Sequence, residues 1–140
     1  MIKKVHHVGV VVRDMDQAMR FWRDTLGLHV HKLETIQEQG VRAALLSIGD
    51  SEIELLEPVV ADTGIARYLD SKGEGLHHVC FQVDSIDRDL DALKAKQVEL
   101  IDQQPRIGLA GRICFLHPKA MHGTLVELCE PIDEPEAARA

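Results

Sequence analysis

Two His-His-Val steps in apolar segments contain side chains that could bind a metal ion. Residues 5–16 read VHHVGVVVRDMD and residues 76–87 read LHHVCFQVDSID, so His7 matches His78 at a distance of 71 residues. The histidine that precedes each of them repeats in the same way. Successive side chains of a strand point to opposite faces, so one histidine of each pair faces a given side. The repeat alone does not say which one.

Two glutamates repeat in the same order further along the chain. Residues 51–58 read SEIELLEP and residues 124–131 read TLVELCEP, so Glu54 matches Glu127 at a distance of 73 residues. If duplicated halves pack about a pseudo-twofold axis, equivalent residues converge near that axis. Two imidazoles and two carboxylates suit a divalent ion such as Co, Mn, Ni, Fe or Zn. A single strand histidine is more often structural, and a lone glutamate can face solvent, but the symmetric set of four favours a metal site.

Each copy of the repeat predicts the same order of elements, β-α-β-β-β. In the first copy a Val-rich strand at 3–12 precedes a helix at 15–26, with Asp14 as its N-cap and Gly27 at its end. Three strand-like segments follow, the last two joined by a Gly-Asp turn: 28–37, 41–49 and 51–57. The second copy predicts a strand, a helix and three strands: 76–84, 86–96, 98–102, 111–117 and 123–130.

The domain organisation follows from this duplication. We expect an α+β protein with a first βαβββ module at 1–58 and a second at 76–131. A linker at 59–75 contains a short helix around 65–72. The tail at 132–140 is rich in charge and proline, has little to bury, and is expected to be loose.

Composition excludes several classes of protein. The chain has 140 residues, 45% of them hydrophobic, with a net charge of −7, which fits one compact globular domain without a nucleic-acid partner. No apolar run approaches the roughly 20 residues that cross a bilayer, and the N-terminus reads as a strand, so we expect no membrane association. Three cysteines in apolar runs, without CxxC spacing, predict buried reduced thiols in a cytoplasmic protein: Cys80, Cys114 and Cys129.

Several motifs together resemble the vicinal oxygen chelate (glyoxalase/dioxygenase) superfamily and, within it, the methylmalonyl-CoA epimerases. The resemblance extends over about residues 3–131. Its motifs are VHHVGVVV, EQGVR at 38–42, IELLEP at 53–58, KGEGLHHVCFQVD at 72–84, PRIG at 105–108, FLHPK at 115–119 and GTLVELCE at 123–130. It implies one domain in which the two modules form a cupped mixed β-sheet barrel with the helices outside.

The resemblance also implies a site and a reaction. It implies that the second histidine of each pair is a ligand, which gives a metal site of His7, Glu54, His78 and Glu127. The implied cofactor is one divalent ion, Co²⁺ in the first place, with Mn²⁺, Ni²⁺, Zn²⁺ and Fe²⁺ as alternatives. The implied reaction interconverts (2R)- and (2S)-methylmalonyl-CoA by removing and returning the C2 proton through a metal-stabilised enolate. The implied partners are an acyl-CoA substrate and a second copy of the chain in a homodimer.

The chain departs from some epimerases at one position. Those relatives carry a glutamate, proposed as a base, shortly after the E-Q-G-V stretch, where this chain has Ala43. They also tend to have Gln in place of Glu54. Our hypothesis is therefore that Glu54 and Glu127 share the proton transfer as well as the metal. Three further residues are weaker candidates for substrate binding: Gln39, His117 and Lys119.

Two other functions compete with the epimerase. The first is another metalloenzyme of the superfamily, such as a glyoxalase I-like lyase, which would use a similar site. The second is a non-catalytic ligand-binding module with the same fold, against which the retention of all four ligand-type residues argues.

Overall fold

The computed structural model describes residues 1–132, and these contain eight strands and three helices. All but the first residue of the tail predicted at 132–140 lies outside the described residues. The strands are β1 (Ile2–Val11), β2 (His29–Ile36), β3 (Val41–Ile48), β4 (Ser51–Pro58), β5 (Gly75–Val83), β6 (Arg106–Gly108), β7 (Gly111–Leu116) and β8 (Val126–Glu130). The helices are α1 (Met15–Met19), α2 (Gly64–Lys72) and α3 (Ile86–Ala95). No helix among the described residues is long and apolar enough to span a membrane.

The chain forms two compact units, of which the first is His6–His78. Its strands lie in the order β2-β3-β4-β1, with β1 parallel to β4 and the other neighbours antiparallel. The Asp14 side chain caps α1 by accepting a hydrogen bond from the backbone N–H of Gln17 at 3.1 Å. After Met19 the helix continues as a π-helix, and it ends before Gly27, whose φ of 79° suits a residue without a Cβ.

The two faces of β4 have different surroundings in this unit. Leu55 is fully buried and packs with Met15 of α1 and with residues of β3 on the helix side of the sheet. Because neighbours in a strand point to opposite faces, Glu54 points away from α1. The alternation in IELLEP therefore directs one carboxylate to the face of the sheet that carries no α1 contact.

Within the described residues, the second unit consists of Met1–Val5 and residues 79–132. Its strands lie in the order β5-β8-β7-β6, with β5 parallel to β8. The Ser85 side chain caps α3 by accepting from the N–H of Arg88 at 3.3 Å. The core lies between α3 and the sheet and includes Ile86, Leu90 and Cys114.

The second glutamate of each Glu-Leu-x-Glu-Pro motif has the same structural role in both units. Glu57, near the end of β4, accepts a hydrogen bond at 2.7 Å from the backbone N–H of Met15, the first residue of α1. Glu130, at the end of β8, accepts one at 3.0 Å from the N–H of Ile86, the first residue of α3. A carboxylate at a helix N-terminus satisfies an unpaired donor and complements the helix dipole. Each motif thus fastens the last strand of its module to that module's helix.

The order β-α-β-β-β is confirmed in both halves, with one strand placed wrongly. The segment 98–102 forms only a single bridge, between Leu100 and Leu116, and the strand is Arg106–Gly108 instead. The Asp102 carboxylate accepts a hydrogen bond at 2.8 Å from the backbone N–H of Phe115. A side chain therefore takes the β7 donor that a paired strand would use, and the ladder stops there.

Candidate metal centre

His7 and His78 meet through the same ring atom. His7 lies in β1 and His78 in β5, and their side chains are buried, with 1% and 6% of the residue surface exposed. Their Nε2 atoms are 3.0 Å apart, and the two rings are nearly perpendicular. Two imidazole nitrogens thus point at the same small volume.

Glu54 joins the two histidines from β4. Its backbone lies opposite Gly9 in the parallel β1–β4 pair, so both residues lie on the same face of the sheet. Only 7% of Glu54 is exposed. Its Oε1 atom is 3.6 Å from Nε2 of His7 and 3.4 Å from Nε2 of His78. Three potential ligand atoms, two nitrogens and one oxygen, therefore form a small triangle.

The dimensions of this triangle fit a divalent ion. Histidine nitrogen and carboxylate oxygen bind zinc-like ions at about 2.1 Å, so two ligands at a right angle lie about 3.0 Å apart and tetrahedral ligands about 3.4 Å apart. The three observed separations, 3.0, 3.4 and 3.6 Å, bracket these values. Burial also favours an ion, because a carboxylate removed from water needs a compensating positive charge. The donor set suits Zn, Co, Mn, Ni or Fe better than Ca or Mg.

The other histidine of each pair contacts the back of the ligand ring. Nδ1 of His6 is 2.8 Å from Nδ1 of His7, and Nδ1 of His77 is 2.8 Å from Nδ1 of His78. The ring of Tyr68, from α2, packs edge-on against His77 at 4.7 Å between ring centroids. The second member of each pair thus points its Nε2 into the triangle, and the first lies behind it.

Gly9 leaves the space that the His78 ring occupies. A Cβ added at Gly9 would overlap the imidazole of His78 and would lie 2.9 Å from its Nε2 atom. The position equivalent to Gly9 in the second copy is Cys80, so this glycine breaks the repeat. The sequence alone did not lead us to Gly9. The signal that could have identified it is the difference between Gly9 and Cys80 at equivalent positions of the repeat, two residues after a predicted ligand.

Glu127, the fourth expected ligand, lies in β8 of the second unit. It is buried, with 4% exposed, and its backbone pairs with Phe115 of β7. A buried glutamate in this strand matches Glu54 in β4 of the first unit. Its membership of the metal site stays a prediction.

The three weaker candidates lie in turns. Gln39 is exposed in a 3-10 turn between β2 and β3. The Nδ1 atom of His117 accepts a hydrogen bond at 3.1 Å from the backbone N–H of Lys119 and so caps a short 3-10 helix, while the Lys119 side chain is exposed. His117 therefore has a local structural role, and substrate binding by these three residues stays a prediction.

Ala43 lies on the same face of the sheet as Glu54. In the β3–β4 pair Leu45 lies opposite Glu54, and Ala43 opposite Leu56, so these side chains share one face. Ala43 is fully buried. A carboxylate at this position would point to the ligand face, and this chain has none there.

The three cysteines are buried thiols that form no disulfide within the part of the chain that the structure describes, as predicted. Burial raises the pKa of the Cys114 thiol to about 11. At neutral pH this cysteine is a protonated core side chain and has no nucleophilic role.

Comparison with known proteins identifies the family. The model of the Glyoxalase/Bleomycin resistance protein/Dioxygenase superfamily matches residues 6–115. The chain is 39% identical to the uncharacterized protein YqjC of Bacillus subtilis over 93% of this chain and 94% of that protein. It is 38% identical to the mitochondrial methylmalonyl-CoA epimerase of Mus musculus over 89% of this chain and 71% of that protein.

Solved structures give the same result at the level of the fold. A Streptomyces coelicolor methylmalonyl-CoA epimerase in complex with 2-nitronate-propionyl-CoA superimposes with a TM-score of 0.90 and 37% identity, over 96% of this chain and 100% of that one. This likeness confirms the α+β class and the vicinal oxygen chelate fold. The chain belongs to the Glyoxalase/Bleomycin resistance protein/Dioxygenase superfamily and, within it, to the methylmalonyl-CoA epimerase family.

Proposed function

We propose that this protein is a metal-dependent epimerase that interconverts (2R)- and (2S)-methylmalonyl-CoA. The observation that carries the proposal is the buried convergence of His7, Glu54 and His78 in a chain of this family. We further propose that Glu127 completes the ligand set, on the strength of the sequence repeat and its burial.

The reaction needs a proton removed from C2, between a thioester and a carboxylate, and returned on the opposite face. A bound divalent ion supplies Lewis-acid stabilisation for the negative charge that develops on the neighbouring oxygens. Both histidines present Nε2 to the site, and burial keeps water away from it. A dry site strengthens every charge interaction that distinguishes the transition state from the ground state.

In this proposal the two buried glutamates, Glu54 and Glu127, transfer the proton. Glu54 turns Oε1 toward the two imidazoles, which leaves its Oε2 atom for the proton. Ala43 cannot act as a base, although its position lies on the correct face of the sheet. Glu127, from the other copy of the repeat, would act on the opposite face of C2, as an epimerisation requires.

The finer assignments are proposals of the same kind. Co²⁺ is our choice of metal, since a set of imidazole and carboxylate ligands binds it well. The substrate is an acyl-CoA. A homodimer and a cytoplasmic location stay predictions.

Solvent exchange at C2 tests the proposal. One epimer of methylmalonyl-CoA is incubated in D₂O with Co²⁺-loaded protein, and deuterium at C2 is followed by NMR. We expect rapid exchange that EDTA abolishes, and no turnover of the methylglyoxal–glutathione adduct assayed in parallel. Turnover of that adduct without C2 exchange would replace the epimerase with a lyase.

A matched pair of variants distinguishes a catalytic role of Glu54 from the general effect of removing one negative charge. Glu54→Gln should lower the exchange rate by about 100-fold or more, because general-base catalysis contributes that much. Glu52→Gln, two residues away on the same face of β4, changes a glutamate that contacts His31 and should leave exchange unchanged. Equal exchange rates and equal metal content for Glu54→Gln and the wild type would remove Glu54 from the mechanism.

A further inference from the structure

Four histidine rings of the first unit form a continuous hydrogen-bonded chain. This chain of rings runs in the order His6, His7, His78 and His77. Each contact joins two nitrogens of the same type: Nδ1 to Nδ1 at 2.8 Å, Nε2 to Nε2 at 3.0 Å, and Nδ1 to Nδ1 at 2.8 Å. The sequence repeat creates this symmetry, because each strand supplies one inner and one outer ring.

We propose that the outer histidines, His6 and His77, are positioning residues for the metal site, an inference that rests on the proposed function. In the metal-loaded site, each would accept a hydrogen bond from the Nδ1–H of the inner histidine next to it. This bond keeps the inner ring in the tautomer whose Nε2 atom has a lone pair available for the metal. It also fixes the rotation of the ring about its Cβ–Cγ bond.

Hydrogen-bond counting supports this assignment. A neutral imidazole has one N–H, so it donates at one nitrogen and accepts at the other. A metal bound between the two inner rings takes the lone pairs of both Nε2 atoms, which requires both protons to be on Nδ1. Each Nδ1–H then needs an acceptor at about 2.8 Å, and in each case the outer histidine has a nitrogen at that distance.

The same counting predicts a change of tautomer when the site is filled. In the arrangement with Nε2 of His7 and His78 at 3.0 Å, a hydrogen bond between them needs a proton on one of these two nitrogens. With four neutral rings, that inner histidine has no proton on Nδ1, and its outer neighbour is the donor there. Filling the site reverses this one outer hydrogen bond and leaves the other as it was. Both outer rings then carry their proton on Nε2.

Helix α2 supports one of the two outer histidines. His77 packs against the ring of Tyr68, whose hydroxyl donates a hydrogen bond at 2.6 Å to the backbone carbonyl of Leu76. Both His77 and its neighbour in sequence therefore contact the same tyrosine, which restricts the position of the His77 ring.

Nitrogen-15 NMR of the histidine rings tests the proposal directly. The wild-type protein is loaded with Zn²⁺, which is diamagnetic, and long-range ¹H–¹⁵N spectra report which ring nitrogen carries the proton. We expect protonated Nδ1 in His7 and His78, and protonated Nε2 in His6 and His77. An unprotonated Nδ1 in either ligand histidine of the zinc-loaded protein would overturn the inference.

Metal affinity of variants gives an independent readout. His77→Leu removes the acceptor and should weaken Zn²⁺ and Co²⁺ binding by about 10- to 100-fold, the usual effect of losing such a partner. His77→Asn offers an amide oxygen near the same place and should recover most of the affinity. The same pair of changes at His6 should give the same pattern.

Failure of the proposed function and failure of this inference would give different results. A wild-type protein that binds neither ion refutes the metal site of the proposed function, and this inference with it. A wild type that binds tightly, with Leu and Asn variants of equal affinity, overturns only the role of the outer histidines. Where a Leu variant does not fold by circular dichroism, the wild-type tautomers decide.

Discussion

Replacing Gly9 by alanine should displace a histidine ring of the metal site, whereas a matched glycine elsewhere should tolerate the same change. The new Cβ would overlap the His78 ring, so the ring must move. Its Nε2 atom lies 2.9 Å from the ideal Cβ position. Ordinary carbon contacts begin near 3.5 Å, so this atom must shift by about 0.6 Å, and the Cε1 and Nδ1 atoms of the same ring, which lie closer to the added Cβ, must shift by more. A site of this kind needs its ligands held within about 0.5 Å, so the shift is enough to weaken one of the ligands.

The expected loss is a 10- to 100-fold weaker affinity for Co²⁺ or Zn²⁺, on the order of 1.4–2.7 kcal/mol. Isothermal titration calorimetry measures it, and the visible spectrum of the Co²⁺ protein reports a changed ligand geometry. Gly64→Ala is the matched control, because no atom lies within 4 Å of a Cβ added there, at the start of α2. Thermal unfolding of the Gly64→Ala apoprotein should be close to wild type, whereas Gly9→Ala should lose about 1–3 kcal/mol of stability to the overlap with the buried ring. An unchanged metal affinity in Gly9→Ala would refute the argument from ring position.

Three further predictions concern stability and reactivity. Glu57→Gln should cost about 1 kcal/mol in urea unfolding, because it weakens the carboxylate cap on α1, whereas an unchanged midpoint would show that the cap is dispensable. The hydrogen bond from Arg112 lowers the pKa of Asp87, so the pair contributes stability above the ordinary aspartate pKa and loses it as pH falls through the lowered value. The wild type and Arg112→Gln should therefore differ most in thermal stability at neutral pH and converge in acid; a constant difference would contradict this. Burial and a pKa of about 11 predict that Cys114 resists iodoacetamide at pH 8 until the protein is denatured, and peptide mass spectrometry would detect labelling of the native protein.

Local patterns made most of the fold predictable. The alternation in IELLEP and VELCEP, the Asp14 cap and the Gly27 stop act over a few residues, and the elements formed where these signals lie. The error at 98–102 came from a contact between residues distant in sequence, since the Asp102 carboxylate accepts a hydrogen bond from the backbone N–H of Phe115, 13 residues further along the chain. Nothing in the local sequence says that a side chain will take that donor.

The sequence predicted the residues of the candidate site but not all of their contacts, because those contacts depend on packing between distant strands. The repeat identified the residue types, but the choice between His6 and His7 depends on which ring reaches the other strand, and only packing decides that. The contacts of Nδ1 behind each ligand and the space left by Gly9 are also properties of the packed rings. The second glutamate of each motif, Glu57 in the first, was visible as a repeated Glu-Pro step, but its partner lies 42 residues away.

The two glutamate caps set a lower limit on the piece of chain that could have been duplicated. The bond from Met15 to Glu57 joins residues 42 apart, and that from Ile86 to Glu130 joins residues 44 apart. Each bond connects the helix of a module to the last strand of that module, so an ancestral fragment lacking the last strand would have left the first N–H of its helix without the glutamate acceptor. Duplication of any shorter stretch would have copied a helix without its acceptor. The Glu-Pro step therefore marks the end of the shortest segment whose duplication copies the helix together with its glutamate acceptor. It is a natural junction for building or exchanging modules of this kind.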